Sequence, residues 1–255
     1  MPEGDTIHRT AHTLARVLVG KPILGFRSRV AALARARLVG HRVVAVEAYG
    51  KNLMMRFDDG RALHSHMRMT GSWHVYRPGE RWFRPEERAR CVLEVEGFVV
   101  ICFDAPVLAI VRDDGVAPSA PLEGLGPDIL SPSFDAAQAR LRLRLAPQRP
   151  VGEAILDQRA VAGIGNIYKS ESLHRCRIDP FAAISAFDDA TLDRLLDQAR
   201  RLMRASVSGE RVPRLVYRRR GAPCTRCGAT IAMKHQGSPR RSTYYCPTCQ
   251  PPRPT

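Results

Sequence analysis

Four of the seven cysteines fall into two Cys-x-x-Cys pairs near the end of the sequence, a spacing at which thiolates bind metals. The pairs are Cys224 with Cys227 and Cys246 with Cys249, separated by 18 residues. Together they can supply the four sulfur ligands of a tetrahedral zinc site. Two structural disulfides are the alternative, which a reducing cytosol disfavours. The spacing therefore predicts one structural Zn²⁺ bound by these four cysteines.

The segment between the cysteine pairs, IAMKHQGSPRRSTYY, has the pattern of a basic β-hairpin. Two runs with strand character flank a Gly-Ser-Pro turn. The hairpin would carry Lys234, His235, Arg240 and Arg241 on a platform fixed by zinc. Cations held in this way can bind the phosphate backbone of a nucleic acid, so we expect a nucleic-acid-binding module.

The sequence begins MPEGDTIHRTAHTLARVL, which places Pro2 and Glu3 directly before an amphipathic helix. Asp5 has the residue type of an N-cap, and Gly-Lys-Pro at residues 20–22 is expected to end the helix. The apolar positions at helical spacing are Ile7, Ala11, Leu14, Ala15 and Leu18. Pro2 and Glu3 are therefore expected one short turn from a buried element, where groups can be held for chemistry.

Short β-type segments fill most of the first 130 residues. VVAVEAYG, LMMRF, ALHSHM, SWHVY, CVLEVEG and VVICF are rich in β-branched or aromatic residues and are separated by turn residues. They favour a β-sandwich or barrel after the first helix. Residues 115–133 have the Pro, Gly and Ser content of a linker, and Ser133 is suited to cap the next helix.

A helical pattern follows the linker. Asp188 or Asp189 can cap a helix with apolar positions at Leu192, Leu195, Leu196, Ala199, Leu202 and Met203. The sequence thus predicts three domains: a β domain at residues 1–130, a helical domain at 131–220 and a zinc finger at 221–255.

The charge balance indicates a polyanionic partner. The chain of 255 residues has 40 Lys and Arg against 25 Asp and Glu, a formal net charge of +15. Such an excess is typical of nucleic-acid-binding proteins, and a generic basic surface is the alternative. No apolar run approaches the roughly 20 residues needed to span a membrane, and the start lacks signal-peptide features. We therefore expect a protein of the bacterial cytosol that does not bind membranes.

Three separated motifs together resemble the formamidopyrimidine-DNA glycosylase/endonuclease VIII family of bifunctional DNA-repair enzymes. They are MPEG at the start, GIGNIYKSESL at residues 163–173, and the hairpin between the two cysteine pairs. The resemblance implies an α+β multidomain fold, in which an N-terminal helix and β-sandwich precede a helix–two-turn–helix domain and a C-terminal zinc-finger hairpin. It also implies that the protein binds damaged double-stranded DNA as a monomer.

The resemblance gives catalytic roles to Pro2 and Glu3. With Met1 removed, Pro2 has a secondary amine, and an α-amino group with a pKa of about 7.7–8.0 is partly deprotonated near neutral pH. In this family the amine attacks C1′ of the damaged nucleotide, expels the base and leaves an iminium, and elimination then breaks the strand. Glu3 is the implied general acid/base that protonates the sugar ring oxygen. A retained Met1 would make Pro2 an ordinary amide without a nucleophilic lone pair.

Four further residues match family positions near phosphate. Lys51, in YGKNLM, is implied to reach the phosphate from a strand-connecting loop and to assist elimination. Asn166 lies in the tight turn of GIGNIY, Arg241 precedes Cys246 by five residues, and His66 matches a histidine near the lesion phosphate. Without the family, Lys51 would be a solvated turn lysine and His66 a strand-end residue.

Residues 66–71, HMRMTG, match the segment that family members insert into the DNA. A glycosylase turns its target nucleotide out of the base stack, and an apolar side chain can fill the gap. Met69 matches the inserted residue, and Arg68 is implied to bind the orphaned base. The alternative places both Met67 and Met69 in the core, because residues two apart on a strand share a face.

Differences from the family motifs favour the endonuclease VIII branch. Gly4 differs from the PELPE start of the formamidopyrimidine branch. Members of the endonuclease VIII branch commonly begin PEGPE, and here Asp5 and Thr6 replace the second proline and the second glutamate of that motif. The segment CFDAPVLAIV has no arginine or aromatic residue after Asp104, whereas the formamidopyrimidine branch carries an arginine–phenylalanine insertion loop after its last long strand. We therefore expect a glycosylase/AP lyase of base excision repair that acts mainly on oxidised pyrimidines. Two alternatives stay open: the same mechanism on oxidised purines, or a catalytically silent protein that binds DNA lesions.

Overall fold

The computed structural model describes residues 2–113 and 121–252, which form two compact units. The first unit comprises Met1–Glu123 and the second Gly124–Thr255. The predicted linker, residues 115–133, lies partly outside the described residues. The second unit contains both of the segments predicted as helical domain and zinc finger.

The first unit is a β-sandwich preceded by a long helix. Its elements in chain order are α1 (Gly4–Leu18), β1 (Gly25–Ser28), α2 (Ala31–Ala34), β2 (Val43–Tyr49), β3 (Asn52–Phe57), β4 (Arg61–His66), β5 (Ser72–Tyr76), a 3₁₀ turn (Glu86–Arg88), β6 (Ala89–Val95), β7 (Phe98–Phe103) and β8 (Val107–Arg112). One antiparallel sheet has the strand order β1-β6-β7-β5 and the other β2-β3-β4-β8. The six predicted strands are confirmed, and the structure adds β1 and β8, which the sequence pattern does not predict.

Helix α1 packs its apolar stripe into the sandwich core. Ile7, Leu14 and Leu18 are at most 1% exposed, and burial of each such side chain contributes roughly 1.5–3 kcal/mol. The N-cap residue is Glu3 rather than the predicted Asp5, since the helix already begins at Gly4. The helix is thus fixed along its length, and Glu3 is fixed with it.

The second unit is helical and ends in a two-stranded hairpin. Its elements are α3 (Ala136–Arg144), α4 (Val151–Ala154), α5 (Asn166–Arg175), a 3₁₀ turn (Ile184–Ala186), α6 (Asp189–Val207), β9 (Ala232–Gln236) and β10 (Arg241–Tyr245). The Asp188 side chain caps α6 by accepting a hydrogen bond from the Thr191 amide at 2.8 Å. Asp188 is one of the two residues predicted as this cap. Asp135, and not the predicted Ser133, caps α3, because the helix begins later than expected. No helix within residues 2–113 and 121–252 is long and apolar enough to cross a bilayer.

A buried carboxylate on α5 holds the segment that leads into the hairpin. Glu171 is 2% exposed. Its oxygens accept hydrogen bonds from the main-chain amides of Leu215, Val216 and Tyr217 at 2.9–3.0 Å. Hydrogen bonds to a charged acceptor are stronger than neutral ones, at about 1.5–3 kcal/mol each. The irregular segment after α6 is therefore tied to the helix that carries the GIGNIYKSESL motif.

Candidate functional site

Pro2 and Glu3 lie at the N-terminus of α1. The Glu3 carbonyl accepts hydrogen bonds from the amides of Thr6 (3.0 Å) and Ile7 (3.2 Å). Glu3 is 1% exposed and Pro2 is half-buried. Chain ends usually fray because few contacts hold them, but these two residues continue directly into a helix anchored in the core. A group at Pro2 is therefore held in place.

Lys51 lies in the two-residue turn between β2 and β3. Tyr49 and Asn52 pair across this turn. Gly50 has a φ of 57°, the left-handed conformation that tight hairpin turns need at their first central residue. The turn presents the half-buried Lys51 side chain at one end of the sheet.

Two histidines on β4 are held in their neutral form. Burial lowers the pKa of His64 to about 4, helped by the charge that His66 can carry. Burial also lowers the pKa of His66, with smaller contributions from the charges of Lys51 and Arg68. These interactions show that Lys51, His66 and Arg68 lie near one another. A cluster of two cations and a neutral imidazole is chemically suited to bind a phosphate group.

The chain leaves the sheet after β4 in a sharp turn. Arg68 has a φ of 44°, and the Gly71 amide donates to the Met67 carbonyl at 2.8 Å. A β-carbon on Gly71 would lie 2.9 Å from Cα of Ala105, so only glycine fits there. Met67 is 2% exposed and Met69 is 65% exposed. The alternative that both methionines belong to the core is therefore wrong, because the strand ends one residue before Met67 and its alternation stops.

In the second unit, Asn166 begins α5 and binds the hairpin. Its amide donates to the Ser242 carbonyl at 2.6 Å. The Lys169 ammonium donates to the same carbonyl at 3.2 Å and to Thr243 Oγ1 at 2.7 Å. The structure thus brings Asn166 next to the start of β10, where Arg241 lies. The buried Asn166 Oδ1 has no hydrogen-bond partner within the part of the chain that the structure describes.

A cavity of about 420 Å³ opens beside this strand within the second unit. Its ionisable lining residues are Arg149, Glu153, Asp157, Arg159, Lys169 and Arg241. One of these cations is neutralised locally, because Arg149 donates to Asp157 at 2.7 Å. Arg159 and Arg241 are exposed, and the lining has more cations than carboxylates. The surface around Arg241 therefore favours an anion.

The four cysteines of the two predicted pairs come together in the second unit. The Sγ atoms of Cys224, Cys227, Cys246 and Cys249 all lie within 4.8 Å of one another. Two of these separations are 3.4 Å and 3.9 Å, far longer than the roughly 2.05 Å of a disulfide. In a tetrahedral site with metal–sulfur bonds of about 2.3 Å, the sulfur atoms lie about 3.8 Å apart. The group can therefore hold a metal ion, and the disulfide alternative is wrong.

His174 connects α5 to this cysteine group. The ring is fully buried, and its Nε2 lies 3.5 Å from Cys224 Sγ. An imidazole N–H at this position can donate to a sulfur ligand and orient it, as groups around metal sites commonly do. Helix α5 therefore contacts the hairpin near its start, through Asn166, and the four-cysteine group near its end, through His174.

Sequence reasoning missed three buried polar residues that support these sites: His64, Lys169 and His174. The only available signal for His64 was its spacing of two from His66 on a predicted strand. Lys169 and His174 lie within or just after the GIGNIYKSESL motif, but a charged residue in a helix is usually solvated. Their partners are far away in sequence, so the pattern alone could not identify these contacts.

Comparison with known proteins supports one family along the whole chain. Residues 1–106 match the formamidopyrimidine-DNA glycosylase N-terminal domain, and residues 125–214 match the H2TH domain of the same family. The protein named probable endonuclease 8 2 of Streptomyces coelicolor is 38% identical over 98% of this chain and 94% of its own. The DNA-(apurinic or apyrimidinic site) lyase Nei2 of Mycolicibacterium smegmatis is 35% identical over 98% of this chain and 99% of its own.

The fold comparison agrees with these matches. The crystal structure of the MutM (Fpg) protein from Thermus thermophilus has a TM-score of 0.83 and 28% identity, covering 99% of this chain and 100% of that chain. The predicted fold class, with a β-sandwich, a helical domain and a four-cysteine hairpin, is confirmed. The relatives named endonuclease 8 confirm the predicted branch. The chain belongs to the formamidopyrimidine-DNA glycosylase family, on its endonuclease VIII side.

Proposed function

We propose that the protein removes oxidised bases, mainly oxidised pyrimidines, from double-stranded DNA by a Schiff-base mechanism in base excision repair. The predicted enzyme class, a DNA glycosylase with lyase activity at abasic sites, is confirmed by the family and its relatives. The observation that carries the mechanism is the fixed position of Pro2 and the buried Glu3 at the start of α1. We place the protein in the bacterial cytosol, where it acts as a monomer.

The nucleophile is the secondary amine of Pro2 after Met1 has been removed. Met1 lies outside the described residues. The amine attacks C1′ of the damaged nucleotide while the bond from C1′ to the base breaks. The base departs with the bonding electrons and takes up the proton that the nitrogen releases. The sugar ring then opens to a cationic iminium as Glu3 protonates the ring oxygen. Loss of the neighbouring C2′ proton expels the 3′ phosphate and breaks the strand.

Lys51 and His66 form the phosphate-binding side of the proposed site in the first unit. Lys51 supplies a cation for the phosphate that leaves during elimination. The neutral His66 offers a hydrogen bond without competing charge. Met69, which is exposed on a tight turn, fills the gap left by the extruded nucleotide, and Arg68 binds the unpaired base opposite.

In the second unit, Asn166 and Arg241 are proposed to bind the DNA backbone beside the lesion. The bond from Asn166 to Ser242 supports this pairing, because it holds the helix start next to the strand that carries Arg241. The four thiolates are proposed to bind one Zn²⁺, the ion that prefers a tetrahedral set of four sulfur ligands. The ion is structural, since all four positions are occupied by protein ligands.

The pyrimidine preference is supported by a short connection in the first unit. Strand β7 ends at Phe103 and β8 begins at Val107. This connection, residues 104–106, has the sequence Asp-Ala-Pro and so contains neither the arginine nor the phenylalanine expected of the formamidopyrimidine branch. Activity on oxidised purines is the second candidate, and a panel of substrates distinguishes the two.

The first prediction concerns that preference. Duplexes that differ only in the lesion, an oxidised thymine or 8-oxoguanine, are compared by single-turnover base excision with excess enzyme. We expect the oxidised thymine to be removed about tenfold faster or more, which is within the range that pocket contacts can provide. Faster removal of 8-oxoguanine would contradict the pyrimidine preference and leave the lyase mechanism intact.

Substitution of Glu3 should affect base excision and strand cleavage to different extents. Glu3→Gln cannot donate the proton for ring opening, so base excision should fall by about a hundredfold or more. Strand cleavage at a ready-made abasic site should fall far less. Glu87→Gln, an exposed carboxylate in the same unit, serves as the control and should change neither rate. Equal losses at both steps in Glu3→Gln would refute its role as general acid.

The third prediction concerns zinc. Cys246→Ser removes one thiolate, so metal analysis should show loss of the single bound zinc, with lower thermal stability and weaker DNA binding. Cys176→Ser changes a half-buried cysteine of the same unit outside the group and should keep the metal. Unchanged zinc content in Cys246→Ser would mean that the ion is not held by these cysteines.

A further inference from the structure

His64 is a buried histidine for which the reaction described above has no role. It is 6% exposed and lies on β4, two residues before His66. Its Nε2 is 2.9 Å from Oδ1 of Asn52, which is also buried, at 8% exposed. Asn52 is the first residue of β3 and directly follows Lys51. The contact therefore reaches from the middle of β4 to the base of the turn that carries Lys51.

The sheet register explains why these two side chains meet. Met54 of β3 pairs with His64 of β4, so Asn52 is the diagonal neighbour of His64 on the same face. Leu53 and Leu63, the adjacent residues on the two strands, belong to the sandwich core. The polar pair consequently lies on the sheet face that points away from that core.

The direction of the hydrogen bond follows from the partners of Asn52. The Asn52 amide nitrogen donates to the Tyr49 carbonyl at 3.3 Å, so the amide oxygen faces His64. His64 is neutral near pH 7, because burial lowers its pKa to about 4. A neutral imidazole has one N–H, and here it is on Nε2 and donates to Asn52. His64, Asn52 and Tyr49 thus form one chain of hydrogen bonds.

This chain closes the turn around Lys51. Tyr49 precedes Gly50 and Lys51, and Asn52 follows them, so the Asn52 side chain joins the two ends of the turn. With Gly50 in its left-handed conformation, the Asn52 amide limits the freedom of the main chain at Lys51. His64 in turn fixes the orientation of the Asn52 amide. The N–H of His64 can donate to the amide oxygen of Asn52 but not to its amide nitrogen.

We propose that His64 is a positioning residue for Lys51: it holds the Asn52 amide, which sets the geometry of the turn from which Lys51 acts on the departing phosphate. The inference rests on the role given to Lys51 in the proposed function. A displacement of about 1 Å at a reacting group can cost a hundredfold in rate. The loss of this hydrogen bond should therefore slow strand cleavage even where the fold is intact.

The test measures single-turnover cleavage of a duplex with a ready-made abasic site, together with borohydride trapping on the same substrate. His64→Phe keeps a ring but has no N–H, and we expect cleavage to slow about tenfold or more while trapping persists. His64→Gln places an amide N–H near the same position, and its rate should stay within about threefold of the wild-type rate. His74→Phe, a half-buried histidine in the other sheet, is the control and should cleave normally.

A double-mutant cycle with Lys51 gives the decisive readout. If His64 acts through Lys51, His64→Phe should cause no further loss in a Lys51→Ala background. The same loss in both backgrounds, a wild-type rate in His64→Phe, or equal losses in His64→Gln and His64→Phe would each overturn the inference. Should His64→Phe fail to fold, Asn52→Ala in the same cycle decides the question.

These outcomes are distinct from a failure of the proposed function. Wild-type protein that neither cleaves nor is trapped on an abasic duplex would overturn the function itself. If the wild-type protein cleaves the abasic duplex and is trapped on it, but the double-mutant cycle shows no coupling between His64 and Lys51, only the role of His64 is overturned.

Discussion

The hydrogen bonds from the Thr6 and Ile7 amides to the Glu3 carbonyl are the constraint on which the proposed chemistry depends. A terminal amine is useful as a nucleophile only if its position is fixed, and chain ends have little to fix them. Here the bonds join Glu3 to a helix whose apolar face is buried in the sandwich. Folding of the first unit therefore determines where the amine of Pro2 lies, and no separate loop has to be ordered.

Helix α5 has a comparable organising role in the second unit. Polar side chains from its successive turns bind different parts of the hairpin module: Asn166 and Lys169 bind β10, Glu171 binds the segment before the first cysteine pair, and His174 contacts Cys224. Buried polar groups on a helix cost stability unless they find partners, and these contacts supply partners for several of them. The four-cysteine group and the helix thus stabilise each other, which explains how a short hairpin that carries Arg241 is held in place.

Much of this architecture could be predicted because its signals are local. The period-two strands, the helical stripe of α1 and the spacing of the cysteines each reflect a geometry that neighbouring residues determine. The errors came where tertiary contacts decide. Asp5 has the residue type of a helix cap but lies inside the helix. Asp104 and Pro106 mark a turn before β8, but the pairing with β4 that makes residues 107–112 a strand is a long-range contact. His64 and Lys169 could not be found because their partners, Asn52 and Thr243, are brought to them only by the sheet register and by the packing of α5.

The proposed mechanism requires that the amine of Pro2 becomes covalently linked to DNA. The most direct measurement is borohydride trapping of zinc-loaded protein lacking Met1 on a duplex with one abasic site, since borohydride reduces an iminium to a stable amine. We expect a covalent protein–DNA band that persists in Lys51→Ala and disappears in Pro2→Gly with a blocked N-terminus. A band that survives the blocked terminus would assign the nucleophile to another amine. The absence of any band from the processed protein would contradict the lyase mechanism and favour a protein that binds lesions without cleaving DNA.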